Sequence, residues 1–155
     1  MADDDAGALS DLLMRAARTQ RRRWRDVLAP WDLSPSQARA LRVVCEQRDT
    51  RVSDLADALR IAPRSATEVA DGLQQRGLVE RTPDPRDRRA VLLRPTADGR
   101  RVRAEVDAAR TDDSRELFGR LSVDDRAALA RILGALTQHD ENTTRTGSRR
   151  PEEDP

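Results

Sequence analysis

The sequence is poor in the residues that build disulfides, metal sites and β cores. Its 155 residues include one cysteine (Cys45), one histidine (His139), no tyrosine and no lysine. A single cysteine and a single histidine exclude a disulfide framework and any metal site rich in these residues, so we expect no metal and no cofactor. Aromatic residues make up only 2% of the chain, whereas an extended β core needs more aromatic and β-branched side chains. The composition therefore favours packed amphipathic helices.

Long apolar runs are also missing. No run approaches the roughly 18 residues of a membrane span, and the acidic start does not resemble a signal peptide. We therefore expect a cytoplasmic protein without a membrane partner. The sequence contains no pairing of a nucleophile with a base, no glycine-rich phosphate loop and no metal-ligand spacing, which predicts that the protein is not an enzyme.

Charge is abundant but almost balanced, with 29 arginines against 28 acidic residues. Residues 60–103 hold 11 arginines against 6 acidic residues, a local +5, and residues 104–142 hold 5 against 9, a local −4. A basic middle beside an acidic segment is expected when one part of a protein meets nucleic acid. A solvated surface of mixed charge would give the same pattern.

Apolar periodicity and capping signals predict the first two helices. Apolar residues recur at steps of three and four between Leu9 and Leu28, which predicts a first helix that Pro30 ends. Residues 34–37, Ser-Pro-Ser-Gln, form a capping box ahead of a second helix. Cys45 falls on the buried face of that helix.

The middle of the chain combines two short helices with a hairpin. Ser53 can cap a third helix, and Pro63 opens a fourth helix that Gly77 ends, which together predict a helix-turn-helix unit. Two short strands, Leu78–Arg81 and Ala90–Arg94, flank a turn rich in proline and aspartate. This pattern predicts an antiparallel hairpin with an arginine-rich tip.

The remaining signals complete the expected organisation. Thr96 can cap a fifth helix, and Ser122 with Asp125 can open a sixth. We predict a mainly α protein with a small β-hairpin wing, a winged helix-turn-helix with flanking dimerisation helices. Its predicted parts are a dimerisation helix (1–32), the winged helix-turn-helix (33–100), further dimerisation helices (101–140) and a disordered tail (141–155).

A helix-turn-helix followed by a basic hairpin suits double-stranded DNA. The fourth helix fits the major groove, where Arg64 could bind guanine and Glu68 could accept a hydrogen bond from cytosine. The hairpin could set arginines against phosphates or into the minor groove. The alternatives are the surface of an ordinary helical bundle and a solvated loop. The predicted contacts are Arg64, Ser65, Thr67 and Glu68 on the helix and Arg86, Arg88 and Arg89 on the hairpin.

The segments 75–81 and 84–92, followed by Thr96 and Gly99, resemble the MarR family of winged-helix regulators. The resemblance is specific in order and spacing over residues 33–100 and looser in the flanking helices. It implies that Arg89 enters the minor groove and that Asp87 holds the Arg89 guanidinium in place. It also implies a homodimeric repressor that a small molecule releases from a near-palindromic operator.

The sequence departs from the family pattern at three positions. Pro95 replaces a leucine, so the second wing strand should end there for want of a backbone donor. Ala62 replaces a capping serine, which weakens the start of the fourth helix. Glu68 stands where a basic or neutral residue is frequent, so the operator sequence does not follow from the family.

Several other residues have competing interpretations. Trp24 and Trp31 could line a pocket for a small aromatic effector, but packing in the core or dimer is favoured because Trp24 lies on the apolar stripe. Cys45 could sense oxidants, but a buried thiol is more often inert packing. His139 suits the negative end of the last helix. Two rival functions stay open: an architectural DNA-binding protein with little sequence preference, and a winged-helix adapter that binds protein.

Overall fold

A computed structural model describes residues 2–47, 49–85, 87 and 90–146, and most of these residues are helical. The fold class predicted from the sequence is confirmed. The elements in chain order are α1 (Ala2–Leu28), a 3-10 turn (Ala29–Trp31), α2 (Pro35–Glu46), β1 (Thr50–Arg51), α3 (Val52–Leu59), α4 (Pro63–Gln75), β2 (Val79–Pro83), β3 (Val91–Pro95), α5 (Ala97–Phe118) and α6 (Val123–Thr146).

Most helices begin where a local signal predicts. The Ser34 hydroxyl accepts a hydrogen bond from the Gln37 backbone N–H at 3.1 Å, and the Gln37 side chain accepts one from the Ser34 N–H at 2.9 Å. The Thr96 hydroxyl likewise accepts from the Gly99 N–H at 3.0 Å. Ser122 caps α6 in the same way. These bonds satisfy amide groups that the helix itself leaves without partners, so the predicted starts of α2, α5 and α6 are confirmed.

Two helix boundaries differ from the prediction. The expected cap at Ser53 is wrong, because Arg51 holds the capping position two residues earlier, and the Asp54 carboxylate accepts from the Arg51 N–H at 3.0 Å. Helix α6 runs to Thr146 and so includes residues 141–146, the first part of the predicted tail. The rest of the predicted tail, 147–155, and the side chain of His139 lie outside what the structure describes.

The hairpin belongs to a small antiparallel sheet in the order β1-β3-β2. Strands β2 and β3 form the predicted hairpin, and β3 ends at Pro95, opposite Val79, as expected for a residue without a backbone donor. Strand β1 was not predicted. It pairs Arg51 with Leu92 and is too short to show an alternating pattern in the sequence.

One buried cluster holds the helix-turn-helix against the sheet. Leu41 of α2, Leu55 of α3, Leu73 of α4 and Leu93 of β3 are fully buried within it, together with Leu28 of α1. Each such leucine contributes roughly 1.5–3 kcal/mol by leaving water. The cluster therefore fixes α3 and α4 on a rigid base.

Two glycines allow the chain to turn closely at the sheet. Gly77 follows α4 with a φ of +68°, which side chains with a Cβ rarely adopt. Gly99 lies in the first turn of α5, where an added Cβ would stand 2.0 Å from the Leu78 carbonyl oxygen. That carbonyl accepts from the Thr96 N–H at 3.1 Å. Only glycine permits this close approach of α5 to the sheet.

Contacts divide the chain into the compact units Met1–Asp113 and Ser114–Pro155. Each unit exposes large apolar side chains. Those of α1 are Leu9, Leu12, Leu13 and Met14, and those of α6 include Ile132, Leu133 and Leu136. Within the described residues, the helices do not combine the length and apolarity needed to cross a lipid bilayer.

Candidate nucleic-acid interface

A tight turn places α4 directly after α3. Arg60 adopts a left-handed conformation with a φ of 54°, and its N–H donates to the Asp57 carbonyl at 3.1 Å. Pro63 then begins α4. Ala62 occupies the capping position without a side chain that can accept, as expected from the sequence. The first amide groups of α4 therefore have no side-chain cap from this residue, and such groups suit a phosphate.

Helix α4 buries one face and presents the other to solvent. Ala66, Ala70 and Leu73 pack into the core. On the opposite face the Arg64 side chain is 92% exposed and the Glu68 side chain 67%. The other two predicted contacts are an exposed Thr67, whose hydroxyl donates to the Pro63 carbonyl at 3.1 Å, and a half-buried Ser65.

Arg64 and Glu68 form a loose ion pair on this exposed face. The Arg64 Nε lies 3.4 Å from a Glu68 carboxylate oxygen, one helical turn away. Exposed pairs at this spacing are worth only about 0.3–0.5 kcal/mol. Arg64 can therefore leave Glu68 to donate to a guanine edge, and Glu68 can then accept from a cytosine amino group.

Two arginines outside the predicted site hold α4 in place. Arg81 on β2 reaches the Asp71 carboxylate at 2.6 Å and the Gln74 side chain at 2.8 Å, both on α4. Arg76, which follows α4, donates to the Asp32 carboxylate at 2.8 Å and to the Trp31 carbonyl at 2.5 Å. These contacts tie the helix to the sheet on one side and to the segment between α1 and α2 on the other.

The base of the wing is closed by backbone hydrogen bonds. The Asp84 N–H donates to the Ala90 carbonyl at 3.0 Å, and the Ala90 N–H donates to the Asp87 carbonyl at 2.9 Å. Asp87 is exposed. The predicted contacts Arg86, Arg88 and Arg89 lie outside the described residues, so the minor-groove role of Arg89 and its support by Asp87 stay predictions.

Trp24 and Trp31 both pack against the core and contact α5. The Arg110 guanidinium lies 5.3 Å from the centre of the Trp24 ring, within the range of a cation–π interaction. The Trp31 indole N–H donates to the Glu105 carboxylate at 2.9 Å. This hydrogen bond, followed by one from Arg101, lowers the pKa of Glu105. A ligand at either ring would compete with a side chain of α5.

Cys45 is half-buried and packs against the core cluster, in line with its predicted place on the inner face of α2. Burial raises the pKa of its thiol, and Arg103 and Arg100 offset part of this effect. The residue lines a cavity of about 340 Å³ between α2, the sheet and α5. The residues around this cavity are Cys45, Gln47, Glu80, Arg94, Pro95 and Arg100.

Sequence reasoning missed the residues that position the interface. Arg81 lies two residues after the buried Val79 on β2, so the alternation of a strand could have placed both side chains on the inner face. Arg76 gave no comparable signal, because its partners lie more than forty residues away.

Comparisons with known proteins agree with this arrangement. The sequence profile of the MarR family matches residues 33–91. The HTH-type transcriptional regulator MT0903.1 of Mycobacterium tuberculosis is 34% identical over 128 residues, which cover 82% of this chain and 86% of that protein. A MarR family protein from Bacillus stearothermophilus superposes with a TM-score of 0.77 at 26% identity, covering 91% and 99% of the two chains.

Two further structures are of proteins described by the molecules that bind or regulate them. The transcriptional repressor CouR, bound to a 23-mer DNA duplex, has a TM-score of 0.71 at 28% identity and covers 81% of this chain and 89% of its own. BpsR of Bordetella bronchiseptica, whose DNA binding is regulated by 6-hydroxynicotinic acid, has a TM-score of 0.68 at 26% identity, with 83% and 91% covered. With its helix-turn-helix, its wing and these relatives, the chain belongs to the MarR family of transcriptional regulators.

Proposed function

We propose that the protein is a homodimeric repressor that binds a near-palindromic operator and is released by a small aromatic effector. In each protomer, α4 enters the major groove, and the wing arginines contact phosphates or the minor groove. The proposal rests chiefly on the exposed polar face of α4. Arg64, Thr67 and Glu68 project from a helix whose other face is locked into the core.

The exposed residues of α4 suit base reading because they combine donors and acceptors. A guanidinium can fork onto guanine, a carboxylate accepts from cytosine, and a hydroxyl reaches either a base or a phosphate. The rigid base keeps these groups in a fixed geometry before DNA arrives. The neighbour CouR, a repressor bound to duplex DNA, supports the same use of this fold.

Dimerisation would cover apolar surface that each compact unit leaves open. The leucines of α1 at positions 9, 12 and 13 are 61%, 52% and 47% exposed. Leu133 and Leu136 of α6 are exposed as well. A two-fold axis would pair such surfaces and place two recognition helices about one or more DNA turns apart.

Effector control would act through the segment that contains Trp31. An aromatic ligand beside this indole would compete with Glu105 for the ring N–H. The Trp31 carbonyl also accepts a hydrogen bond from Arg76 at the end of α4. A ligand that moves this segment would therefore shift the recognition helix, provided that it binds the shifted state more tightly. BpsR, regulated by 6-hydroxynicotinic acid, supports this class of ligand.

Footprinting of the upstream DNA, with sedimentation of the free protein, tests the proposal. We expect a dimer at micromolar concentration and a protected site with two related halves. A monomer that binds one copy per site would contradict the dimer. Protection of random duplex as strong as that of the upstream DNA would instead favour the architectural rival.

Two wing variants test the minor-groove contact. Arg89→Ala should weaken operator and scrambled DNA alike and lower the slope of log affinity against log salt by about one. Asp87→Ala should cause nearly the same loss, because Asp87 is proposed to hold Arg89 in position. Charge alone predicts tighter binding when an acidic residue is removed, so tighter binding by the Asp87 variant would contradict the wing assignment.

A further inference from the structure

Asp84 marks the point where the wing leaves the sheet. It follows β2 directly, and its side chain is only 6% exposed, which is unusual for a carboxylate. Its N–H donates to the Ala90 carbonyl, where the chain returns toward β3. Asp84 is therefore fixed at the base of the wing.

Arg51 binds this carboxylate from the far edge of the sheet. Its Nε and Nη2 donate to the same Asp84 oxygen at 3.2 and 2.5 Å. Arg51 ends β1, whereas Asp84 follows β2, and β3 lies between these two strands. The side chain thus reaches across the central strand and joins two outer parts of the sheet that share no backbone ladder.

Arg51 is also attached to the first helix of the helix-turn-helix. It is the residue immediately before α3, and its backbone N–H donates to the Asp54 carboxylate at 3.0 Å. The Asp84 hydrogen bond, with the charges of Asp84 and Asp87, raises the pKa of Arg51. The Arg51 backbone therefore contacts the helix-turn-helix, whereas its guanidinium contacts the base of the wing.

We propose that Arg51 is a positioning residue that sets the angle of the wing relative to the helix-turn-helix. The backbone pairing of β1 with β3 covers only two residues on each strand, so it fixes this angle weakly. An arginine–carboxylate pair with two donors adds both strength and a defined direction. The inference rests on the proposed DNA-binding function, in which the wing and α4 contact one duplex together.

A direct contact between Arg51 and a DNA phosphate is the competing explanation, because the Arg51 side chain is 42% exposed. The two roles predict opposite results for Asp84→Asn. A positioning role predicts weaker DNA binding, since the wing loses its charged anchor. A phosphate contact predicts equal or tighter binding, since Arg51 is released toward the DNA.

The test compares Arg51→Gln, Arg51→Lys, Asp84→Asn and the double variant Arg51→Gln/Asp84→Asn with the wild type. Arg42→Gln is the matched control, because the Arg42 side chain is similarly exposed, at 48%, but pairs with Glu46 on its own helix. Binding is measured on the footprinted upstream fragment at several salt concentrations, with hydroxyl-radical footprints. Exchange of the Asp84 and Ala90 amide protons is measured in the free protein.

We expect Arg51→Gln and Asp84→Asn each to weaken binding about tenfold, with the double variant no worse than either. The footprint should lose the outer protections made by the wing and keep the central ones made by α4, whereas general destabilisation would weaken both together. Arg51→Lys should restore part of the affinity, and Arg42→Gln should behave as the wild type.

The exchange measurement is made on the free protein, so its result does not depend on DNA binding. The Asp84 and Ala90 amide protons should exchange about tenfold faster in Arg51→Gln than in the wild type. Unchanged exchange, or unchanged binding by Asp84→Asn, would overturn the positioning role. If the wild type fails to protect any site while Arg51→Gln still accelerates exchange, the proposed function fails and the positioning of the wing by Arg51 stands.

Discussion

Arg64 on α4 and Arg81 on β2 place the same side chain in opposite settings. The Arg64 side chain is 92% exposed and meets Glu68 at 3.4 Å, whereas the Arg81 side chain is 31% exposed and meets Asp71 at 2.6 Å. Arg51 and Arg76 resemble Arg81, because each is bound to an acidic residue distant in sequence. In a chain whose basic residues are all arginine, the count of positive charges does not identify the DNA contacts. The exposure and pairing of each guanidinium separate the exposed, loosely paired Arg64 from the arginines that tie elements of the fold together.

Among substitutions that disturb the scaffold, we expect the largest loss of stability at Gly99. Gly99→Ala would place a Cβ 2.0 Å from the Leu78 carbonyl oxygen, so α5 or the sheet must move. We expect a loss of about 3 kcal/mol in the free energy of unfolding, which for a chain of this size lowers Tm by roughly 6–12 °C. Thermal unfolding followed by circular dichroism, at matched protein concentrations, measures this shift.

Gly7→Ala provides the control for this substitution, because an added Cβ there meets nothing within 4 Å. Gly7 lies inside α1, where alanine is favoured over glycine by up to about 1 kcal/mol. A Gly99 variant as stable as the Gly7 variant would show that the close approach of α5 to the sheet is not a constraint.

A smaller effect is expected at Arg81. Arg81→Gln removes the ion pair with Asp71, and because both side chains are partly exposed we expect a loss of about 1 kcal/mol or less in the free energy of unfolding. Affinity should fall more on the operator than on scrambled DNA, because a displaced α4 loses base contacts while contacts to phosphates carry no sequence information. Fluorescence-anisotropy titrations on both duplexes check this, with Arg42→Gln as the control. An equal loss on both duplexes would instead indicate that Arg81 contacts a phosphate and does not position α4.

The smallest effect is expected from oxidation. The raised pKa of Cys45 keeps the thiol protonated at neutral pH, and a thiol reacts with peroxide far more slowly than a thiolate. The thiolate, and with it any sensitivity, should appear only as the pH rises above the ordinary range for cysteine. DNA affinity at pH 7 should therefore be the same with and without peroxide. A large loss on peroxide treatment that Cys45→Ser abolishes would establish a redox response instead.

Local signals predicted the elements well, because caps and helix breakers act within a few residues. Pro63 begins α4 and Thr96 caps α5 as their sequence contexts indicate. By contrast, Asp113 of α5 pairs with Arg23 of α1 at 2.7 Å, across 90 residues of the chain. Such pairs join residues far apart in the chain, so no pattern of spacing could have predicted them.

In the candidate site, too, local features could be predicted from the sequence and long-range contacts could not. The exposed positions of α4 follow from helical periodicity, which places Arg64 and Glu68 opposite the buried alanines. The support from Arg51 to Asp84 depends on the strand order β1-β3-β2, and β1 is too short to be recognised before the fold is known. The sequence therefore predicts which side chains of α4 are exposed better than it predicts what holds the helix in place.

The most direct test of the account is the ratio of operator to scrambled-DNA affinity for the wild type and Arg64→Ala, measured at several salt concentrations. If Arg64 reads a base, the variant should lose about 1–3 kcal/mol on the operator and little on scrambled DNA, with an unchanged Tm. The specificity ratio should then fall roughly 5- to 150-fold. Equal losses on both duplexes would contradict sequence reading by α4 and would favour an architectural DNA-binding protein.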